Sequence, residues 1–299
     1  MRRVTKTAYA KINLSLDVLG RREDGYHLVK MVMQTIDLSD TLVFETGDRE
    51  CDGMTVQLVT DSKEISTGKD NLVCRAIMAM AGEYGISRDI KVTLHKRIPV
   101  AAGIAGGSTD AAAALRAMRD LFVPDASNED LARIALPIGA DVPYCIEGGT
   151  RLSEGIGETL TALPDAPQCG LVIIKPDVGV STAEIYKAYD SLKGVLHPDI
   201  DAQVRAIRSG DLAAMAGTCG NVLENVTGAM YPQIGRIESY MTEHGALAAK
   251  MSGSGPTVFA IFADSAEAAS AAAACVEDPE FKNCIVCHSR FVNSDQASE

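Results

Sequence analysis

The sequence predicts a two-domain protein of the α+β class. Apolar and polar residues alternate strictly over 8–18, which predicts a long strand. A loop of small residues over 99–107 leads into an alanine-rich segment, 110–121, that is typical of a helix. In the last part of the chain, strands and helices follow the order of a split βαβ sandwich. With a length of 299 residues, these patterns indicate two domains, 1–163 and 164–299.

The first predicted strand has one apolar and one polar face. Its even positions are apolar, whereas Lys11 and Asn13 occupy odd positions and therefore point to the same polar side. A turn at Asp24-Gly25 follows the strand. Further strands are predicted at 29–38, 41–44 and 56–59.

The rest of the first domain combines helices with one more strand. Asp70 is the expected N-cap of a helix over 71–84, which Gly85 ends. The alanine-rich helix is expected to start at Ser108–Asp110. The other elements predicted here are a strand at 90–94 and a helix at 128–136.

The second domain is expected to follow a linker over 163–168, which contains two prolines. Residues 293–299 are expected to form a frayed tail. Strands are predicted at 171–174, 246–251, 257–262 and 283–291, and helices near 182–193, 203–217, 230–244 and 265–276.

Composition excludes several classes of protein. The net charge of -12 makes a nucleic-acid binder or a binder of anionic membranes a poor interpretation, because both partners are negatively charged. No apolar run reaches the roughly 18 residues of a membrane span. No export signal is recognised, so the expected location is the cytoplasm. The eight cysteines are accordingly expected to be reduced thiols.

The loop before the alanine-rich helix is the strongest chemical signal. It reads Pro-Val-Ala-Ala-Gly-Ile-Ala-Gly-Gly-Ser-Thr-Asp from residue 99. Small residues let a ligand approach the backbone, and the free N–H groups of a helix start attract phosphate. No Gly-Lys-Ser/Thr follows, so this is not a Walker A loop. The alternative is a tight turn in which Ser108 or Thr109 is an ordinary helix cap.

Three motifs in order give a family resemblance. The segments 8–14 (Ala-Tyr-Ala-Lys-Ile-Asn-Leu), 99–115 and 250–257 (Lys-Met-Ser-Gly-Ser-Gly-Pro-Thr) resemble those of the galactokinase, homoserine kinase, mevalonate kinase and phosphomevalonate kinase (GHMP) superfamily. The resemblance implies a ribosomal-protein-S5-like N-terminal ATP-binding domain and a ferredoxin-like C-terminal domain. The active site would then lie in the cleft between them.

Finer features resemble one kinase family within this superfamily. Lys-Ile-Asn-Leu at 11–14, Gly-Tyr-His at 25–27 and Gly-Ala-Asp-Val-Pro at 139–143 are similar to motifs of 4-diphosphocytidyl-2-C-methyl-D-erythritol kinases. The resemblance implies ATP-dependent phosphorylation of the 2-hydroxyl of that cytidylylated substrate, in non-mevalonate isoprenoid precursor biosynthesis. Lys11 and Asp141 would form the catalytic pair. The substrate-binding residues would be Asn13, Tyr26, His27 and Tyr186.

The resemblance also implies an ATP site with Mg²⁺, although no metal ligand can be assigned. This loop departs from the family's usual glycines and second serine at Ala101, Ala102, Ala105 and Thr109, which leaves its shape open. The expected assembly is a monomer or a weak homodimer. The predicted ATP-binding residues are Pro99, Ala102, Gly103, Ile104, Ala105, Gly106, Gly107, Ser108, Thr109, Asn71 and Lys96.

Several alternatives remain open on the sequence. Lys11 and Asp141 could be a structural ion pair, His27 a surface histidine, and Tyr26 and Tyr186 packing residues. The chain could be a homoserine, mevalonate or sugar kinase of the same superfamily. It could also be a non-catalytic sensor, although such a protein would be expected to have lost Lys11 and Asp141.

Overall fold

The computed structural model describes residues 2–47 and 52–297, and the strands in these residues form two sheets. The strands are β1 (Arg2–Arg21), β2 (His27–Thr46), β3 (Thr55–Thr60), β4 (Asp89–His95), β5 (Thr150–Glu154), β6 (Thr159–Ala162), β7 (Gly170–Lys175), β8 (Gly220–Asn221), β9 (Ala248–Met251), β10 (Val258–Phe262) and β11 (Ile285–Ser289).

The helices cover the sheets and connect them. They are α1 (Leu72–Tyr84), α2 (Gly106–Phe122), α3 (Asn128–Ala135), α4 (Val142–Glu147), α5 (Thr182–Tyr189), α6 (Ile200–Ser209), α7 (Leu212–Gly217), α8 (Glu224–Met230), α9 (Gln233–Glu243), α10 (Ser265–Glu277) and α11 (Ser294–Ala297). A short 3₁₀ turn covers Pro279–Phe281.

The larger sheet is built on the long hairpin of β1 and β2. Its strand order is β3-β4-β2-β1-β8, and β5 pairs with β2 and with β6. Helices α1 and α2 pack together, and α2 crosses β1. The alanines at 111–114 on α2 are fully buried, and their small side chains let the helix lie close to the sheet.

The smaller sheet has the antiparallel order β11-β7-β10-β9. This is the split βαβ arrangement expected from the sequence, so the predicted α+β fold is confirmed. The chain changes sheets between Ala162 and Gly170. The domain boundary at 163 stays a prediction, since the two-residue strand β8 returns to the larger sheet beside Ser15 and Leu16.

The predicted division of residues 29–44 into two strands is wrong, because β2 is continuous. One part of β2 pairs with β5 and a later part with β4, while β1 pairs along its whole length. Asp40, at the expected break, is fully buried inside the strand. Its Oδ1 accepts the backbone N–H groups of Arg97 and Ile98, at 2.5 and 2.9 Å. These bonds hold a polar residue within the strand.

The polar face of β1 is buried as well, although alternation of apolar and polar residues usually indicates that the polar face is exposed to solvent. Lys11, Asn13, Ser15 and Asp17 are all buried. The Ser15 hydroxyl donates to the Thr218 carbonyl at 3.2 Å, so residues from the later part of the chain cover this face. Alternation identified the polar face, but it could not show that protein covers that face.

Two helix starts differ from the predictions. Asn71, not Asp70, caps α1, since its side chain accepts the Val73 N–H at 2.9 Å. Helix α2 starts at Gly106, earlier than Ser108. Glycine has a low helix propensity, so the sequence favoured the later start. Gly85 ends α1 in the left-handed conformation, as predicted.

The end of the described chain is packed rather than frayed. Helix α11 buries Ala297, and the Val292 N–H donates to the Thr35 carbonyl at 2.9 Å. Contacts with β2 and with Gly148 and Gly149, which follow α4, therefore anchor a segment that was predicted to be a frayed tail. Residues 298–299 lie outside the described part. The structure also contains α4, β5 and β6, which were not predicted, and breaks the segment 203–217 into α6 and α7.

Two further findings concern the described residues. None of their helices is both long and apolar enough to cross a membrane. Seven of the cysteines are free thiols in this part of the chain, and Cys51 lies outside it. The expected cytoplasmic location stays a prediction.

Candidate active site

One large cleft collects most of the predicted site residues. It encloses about 1220 Å³, whereas a pocket for one small ligand usually has about 300–1,000 Å³. Its walls come from β1, the β1–β2 turn, the segment 99–108, α5 and the loop between β9 and β10. The space is therefore sufficient for two ligands side by side.

The start of α2 presents free backbone donors to this cleft. The first helical bond runs from the Thr109 N–H to the Ala105 carbonyl at 2.9 Å, and no side chain caps this end. The N–H groups of Gly106, Gly107 and Ser108 consequently have no acceptor within the helix. All three residues line the cleft. This end of a 17-residue helix is suited to hold an anion.

The loop before α2 keeps a left-handed backbone where the chain has alanine. Ala101 has φ 51° and Ala105 has φ 60°. A Cβ in this region costs about 1–2 kcal/mol relative to the ordinary helical region. Two of the four departures from the family's usual loop therefore fall on left-handed positions, where alanine carries a cost in backbone strain.

A second glycine-rich loop packs directly on the first. A Cβ added at Gly103 would lie 2.7 Å from the Ser252 carbonyl oxygen and 2.8 Å from that of Gly255. The Ser252 hydroxyl donates to the Gly103 carbonyl at 3.2 Å and accepts the Asn13 backbone N–H at 3.1 Å. Ser252 thus connects β1 with both loops.

Lys11 and Asp141 meet in the cleft. The Lys11 ammonium lies 2.7 Å from Asn13 Oδ1 and 3.4 Å from Asp141 Oδ2. Register shifts in the β1–β2 pairing bracket this segment of β1, and such β-bulges re-aim side chains beside active sites. Asp141 precedes α4 and its carboxylate makes no capping bond. One-third of the Asp141 side chain, 33%, remains exposed to the cleft.

Two rings lie at one end of the cleft. The rings of His27 and Tyr186 are 4.8 Å apart at an interplanar angle of 41°. Burial and the nearby charge of Asp141 raise the pKa of the Tyr186 hydroxyl, so this hydroxyl is neutral. The Tyr26 side chain also lines the cleft, but the residue is 60% exposed and its ring contacts neither of the other two rings.

Asn71 and Lys96 line the cleft near the start of α2, where an added Cβ at Gly106 would lie 3.4 Å from Lys96 Nζ and one at Gly107 would lie 3.4 Å from Leu72 Cδ1. The Asn71 side chain is engaged, since it caps α1 and donates to the Ser66 carbonyl at 2.7 Å. The Lys96 ammonium lies between two buried carboxylates, 2.5 Å from Asp40 and 2.9 Å from Asp110. Burial alone would lower the pKa of Lys96, but Asp110 and Asp40 together raise it.

Asp110 makes fewer hydrogen bonds than Asp40 in this cluster of Lys96, Asp40 and Asp110. Burial raises its pKa to about 8, against the opposing effect of Lys96. Its Oδ1 is buried without a hydrogen-bond partner among the described residues. Asp40, in contrast, accepts two backbone N–H groups in addition to Lys96. Asp110 therefore favours the protonated form at neutral pH, while the Lys96 ammonium lies 2.5 Å from Asp40.

We expect Asp110→Asn to change how stability depends on pH. Because the pKa of Asp110 rises from 3.8 to about 8 on folding, the folded state holds an extra proton between these values. Stability therefore falls as pH rises through this window, by at most about 1.4 kcal/mol per pH unit. Asparagine cannot titrate, so this loss is absent from the variant. The free energy of unfolding of the variant should therefore rise relative to that of wild type from about pH 6 to about pH 8. Urea unfolding measures this difference, and parallel stability curves would contradict it.

Two predicted residues face away from the cleft, and several contributors were missed. Ile104 is buried in the core, and its carbonyl accepts the Lys11 N–H at 3.2 Å. The Thr109 hydroxyl donates to the Tyr9 carbonyl at 2.7 Å. The contributors missed by the sequence analysis are Asp40, Asp110, Asp190 and the bridging role of Ser252. Asp110 and Ser252 belonged to recognised motifs, but neither was assigned a role.

Comparison with protein families gives two matches that together cover just over half of the chain. Residues 71–149 match the description "GHMP kinases N terminal domain", and residues 202–278 match "GHMP kinases C terminal". The first match contains the helix α2 start and Asp141, and the second contains the Ser252 loop.

Individual relatives agree with these matches. A curated 4-diphosphocytidyl-2-C-methyl-D-erythritol kinase from Clostridium kluyveri is 48% identical over 257 residues, covering 86% of this chain and 90% of the relative. A crystal structure of 4-(cytidine 5'-diphospho)-2C-methyl-D-erythritol kinase superposes with a TM-score of 0.80 at 28% identity, covering 96% and 99% of the two chains.

Likeness of fold extends to enzymes with other names. A homoserine kinase from Cytophaga hutchinsonii superposes with a TM-score of 0.79 at 19% identity, covering 99% of this chain and 96% of that one. The two TM-scores are nearly equal, so the backbone alone does not distinguish between acceptor substrates. That distinction depends on the side chains of the cleft.

Proposed function

This chain belongs to the GHMP kinase family, and from that premise we propose that it transfers the γ-phosphoryl group of ATP to the 2-hydroxyl of 4-(cytidine diphospho)-2-C-methyl-D-erythritol. The reaction is a step of non-mevalonate isoprenoid biosynthesis. One observation carries the proposal: the Lys11–Asp141 pair lies in the same cleft as a phosphate-binding helix start and a pair of rings.

The catalytic pair would act on the acceptor hydroxyl. Phosphoryl transfer has a loose transition state, so positioning and charge do most of the work. The Asp141 carboxylate accepts the hydroxyl proton while the substrate oxygen bonds to the γ-phosphorus. The bond from that phosphorus to the β,γ-bridging oxygen breaks, and ADP leaves. Lys11, held by Asn13 and 3.4 Å from Asp141, offsets negative charge on the transferring group.

ATP would bind with its phosphates at the start of α2. The free N–H groups of Gly106, Gly107 and Ser108 donate to phosphate oxygens. Asn71 and Lys96, which line the same cleft, would border the adenosine. Because Lys96 is engaged by two carboxylates, we expect it to act through shape rather than as a free cation. Mg²⁺ would enter with ATP and offset the phosphate charge, as part of the MgATP substrate.

The cytidine would bind at the end with the two rings. Tyr186 offers a face on which a base can stack, and His27 offers a nitrogen to its polar edge. Tyr26, exposed on the hairpin turn, is free to cover the other face of the base. Asn13 borders the centre of the cleft, near the acceptor end of the substrate. Homoserine and mevalonate contain no base, so a kinase for either acceptor would not need this pair of rings.

A substrate panel tests the proposed function. Purified protein with MgATP would be offered the cytidylylated methylerythritol, homoserine, mevalonate and galactose, and ADP release would be followed by a coupled assay. We expect kcat/KM to be highest for the cytidylylated compound by at least about a hundredfold, since the others leave the base site empty. A higher kcat/KM for any other acceptor would reject the proposed substrate.

We expect Tyr186→Ala to raise the KM for the cytidylylated substrate by roughly tenfold or more, because stacking on an aromatic ring contributes about 1–3 kcal/mol per base. The KM for ATP should stay unchanged, since Tyr186 lies on α5 against His27 and not among the residues that begin α2. Steady-state kinetics with each substrate varied in turn measures both constants.

Tyr186→Phe is the matched control for this prediction. It keeps the ring and removes only the hydroxyl near Asp141. We expect its KM to stay within about twofold of wild type, as the stacking surface is retained. If Tyr186→Phe loses as much affinity as Tyr186→Ala, the hydroxyl rather than stacking carries the interaction.

A further inference from the structure

The C-terminal end of α5 is joined to the β1–β2 hairpin by one carboxylate. Asp190 Oδ1 lies 2.6 Å from His27 Nε2, and Asp190 Oδ2 lies 3.1 Å from Arg21 Nη1. Arg21 and His27 are directly paired across the hairpin. Asp190 therefore holds together the hairpin that carries His27 and the helix that carries Tyr186.

This contact determines which nitrogen of His27 carries the proton. A carboxylate can only accept, so the short contact requires a hydrogen on Nε2. Arg21 donates to the other oxygen of the same carboxylate at 3.1 Å, so both oxygens of Asp190 are engaged. In the neutral ring, Nδ1 is then an acceptor. The His27 ring lines the cleft and has no other hydrogen-bond partner within 2–47 and 52–297.

We propose that Asp190 is the positioning residue that makes this site selective for cytosine over uracil. With its proton held on Nε2, His27 offers a lone pair at Nδ1 to the exocyclic amino group of cytosine. Uracil has a carbonyl oxygen in that place, and two lone pairs would then face each other. A buried polar group left unpaired lowers affinity by roughly ten- to a hundredfold. The inference rests on the proposed function, because it assumes that the cytidine binds at the two rings.

The isosteric variant Asp190→Asn tests the mechanism because it should move the proton of His27 from Nε2 to Nδ1. Arg21 can only donate, so it orients the amide oxygen of the asparagine toward itself. The amide NH₂ then faces His27, and Nε2 must accept from it. The proton moves to Nδ1, which becomes a donor and suits the uracil oxygen. Asp190→Ala, in contrast, removes the hydrogen-bond partner of Nε2, so neither ring nitrogen of His27 is favoured as the site of the proton.

The first measurement is binding of cytidine diphosphate and uridine diphosphate by calorimetry. We expect wild type to prefer the cytidine form, and Asp190→Asn to lower the ratio of the two affinities by about tenfold or more. Asp190→Ala should give an intermediate ratio, and His27→Ala should remove the effect of both substitutions. An unchanged ratio in a folded Asp190→Asn protein would overturn the inference.

The matched control is Asp201→Asn. Asp201, on α6, contacts Lys30 on β2 at 2.7 Å, so it also joins a second-domain helix to the hairpin. Neither residue lines the cleft. The ratio of cytidine to uridine diphosphate affinity should therefore stay at the wild-type value. A fall equal to that in Asp190→Asn would mean that any loss of a contact between α-helices and the hairpin has this effect, and would overturn the specific role of Asp190.

The second measurement reports the proton directly. Long-range proton–nitrogen NMR of histidine-labelled protein distinguishes the two neutral forms, and His27→Ala identifies the His27 signals. We expect hydrogen on Nε2 in wild type and on Nδ1 in Asp190→Asn. Hydrogen on Nδ1 in wild type would overturn the inference while leaving the kinase reaction intact. A wild type that binds neither diphosphate and phosphorylates no cytidylylated acceptor would instead reject the proposed function, and the inference with it.

Discussion

Replacing Asp141 with asparagine is expected to lower kcat by roughly two to four orders of magnitude, the usual effect of losing a general base. Asparagine has the same shape but cannot take the proton of the acceptor hydroxyl. The fold should persist, because the Asp141 side chain makes no capping bond and is one-third exposed, at 33%. Affinity for ATP should change little, since the phosphates would bind at the start of α2.

Asp211→Asn is the matched control for this experiment. Asp211 caps α7 by accepting the Ala214 N–H at 3.0 Å, away from the cleft. Asparagine caps a helix about as well as aspartate, so kcat should be unaffected. Single-turnover kinetics at saturating ATP isolates the transfer step. An Asp141→Asn protein with kcat within about threefold of wild type would reject Asp141 as the base.

A second large effect is expected for Gly107→Val, which should lower affinity for ATP by about a hundredfold or more, because a branched side chain would separate the phosphates from the backbone donors. Gly107 is exposed to the cleft, and an added Cβ would meet only Leu72 Cδ1, at 3.4 Å. The variant should therefore fold. Gly106 is the poorer choice, since its Cβ would lie 2.9 Å from the Ile98 side chain.

Gly235→Val controls for the cost of valine in a helix. Gly235 lies in α9, with no atom within 4 Å of an added Cβ and no part in the cleft. Both variants should change little in stability, by about 0.5 kcal/mol or less, because valine is a slightly better helix former than glycine. Calorimetric titration with a non-hydrolysable ATP analogue compares them. If Gly107→Val binds the analogue as Gly235→Val does, the phosphates lie elsewhere.

Local sequence patterns predicted those features of the fold that depend on residues close together in the chain. Alternation in β1 showed that Lys11 and Asn13 share a face, and their side chains are hydrogen-bonded at 2.7 Å. Gly85 was recognised as the end of α1 because its left-handed backbone suits glycine. The start of α2 was misjudged by two residues or more, because helix propensity disfavours the glycines that leave room for a ligand.

Contacts between distant parts of the chain could not be predicted in the same way. The His27–Asp190 contact joins residues 163 positions apart, and neither residue has a local pattern that indicates the other. No local pattern indicated Asp40, and the motif that contains Asp110 did not show that packing would enclose both residues beside Lys96. Motif resemblance found the residues that would touch substrate. The residues that position them depend on the tertiary structure.

Phosphorus NMR of the reaction product tests the central proposal most directly. The protein would be incubated with MgATP and the cytidylylated methylerythritol, and the new phosphomonoester signal would be recorded with and without proton decoupling. The acceptor carbon at position 2 carries a methyl group and no hydrogen, so the expected signal shows no coupling to a proton across the ester oxygen. The account predicts this uncoupled signal with equal formation of ADP. A coupled signal would place the phosphate on another hydroxyl, and formation of no phosphomonoester would contradict the proposed function.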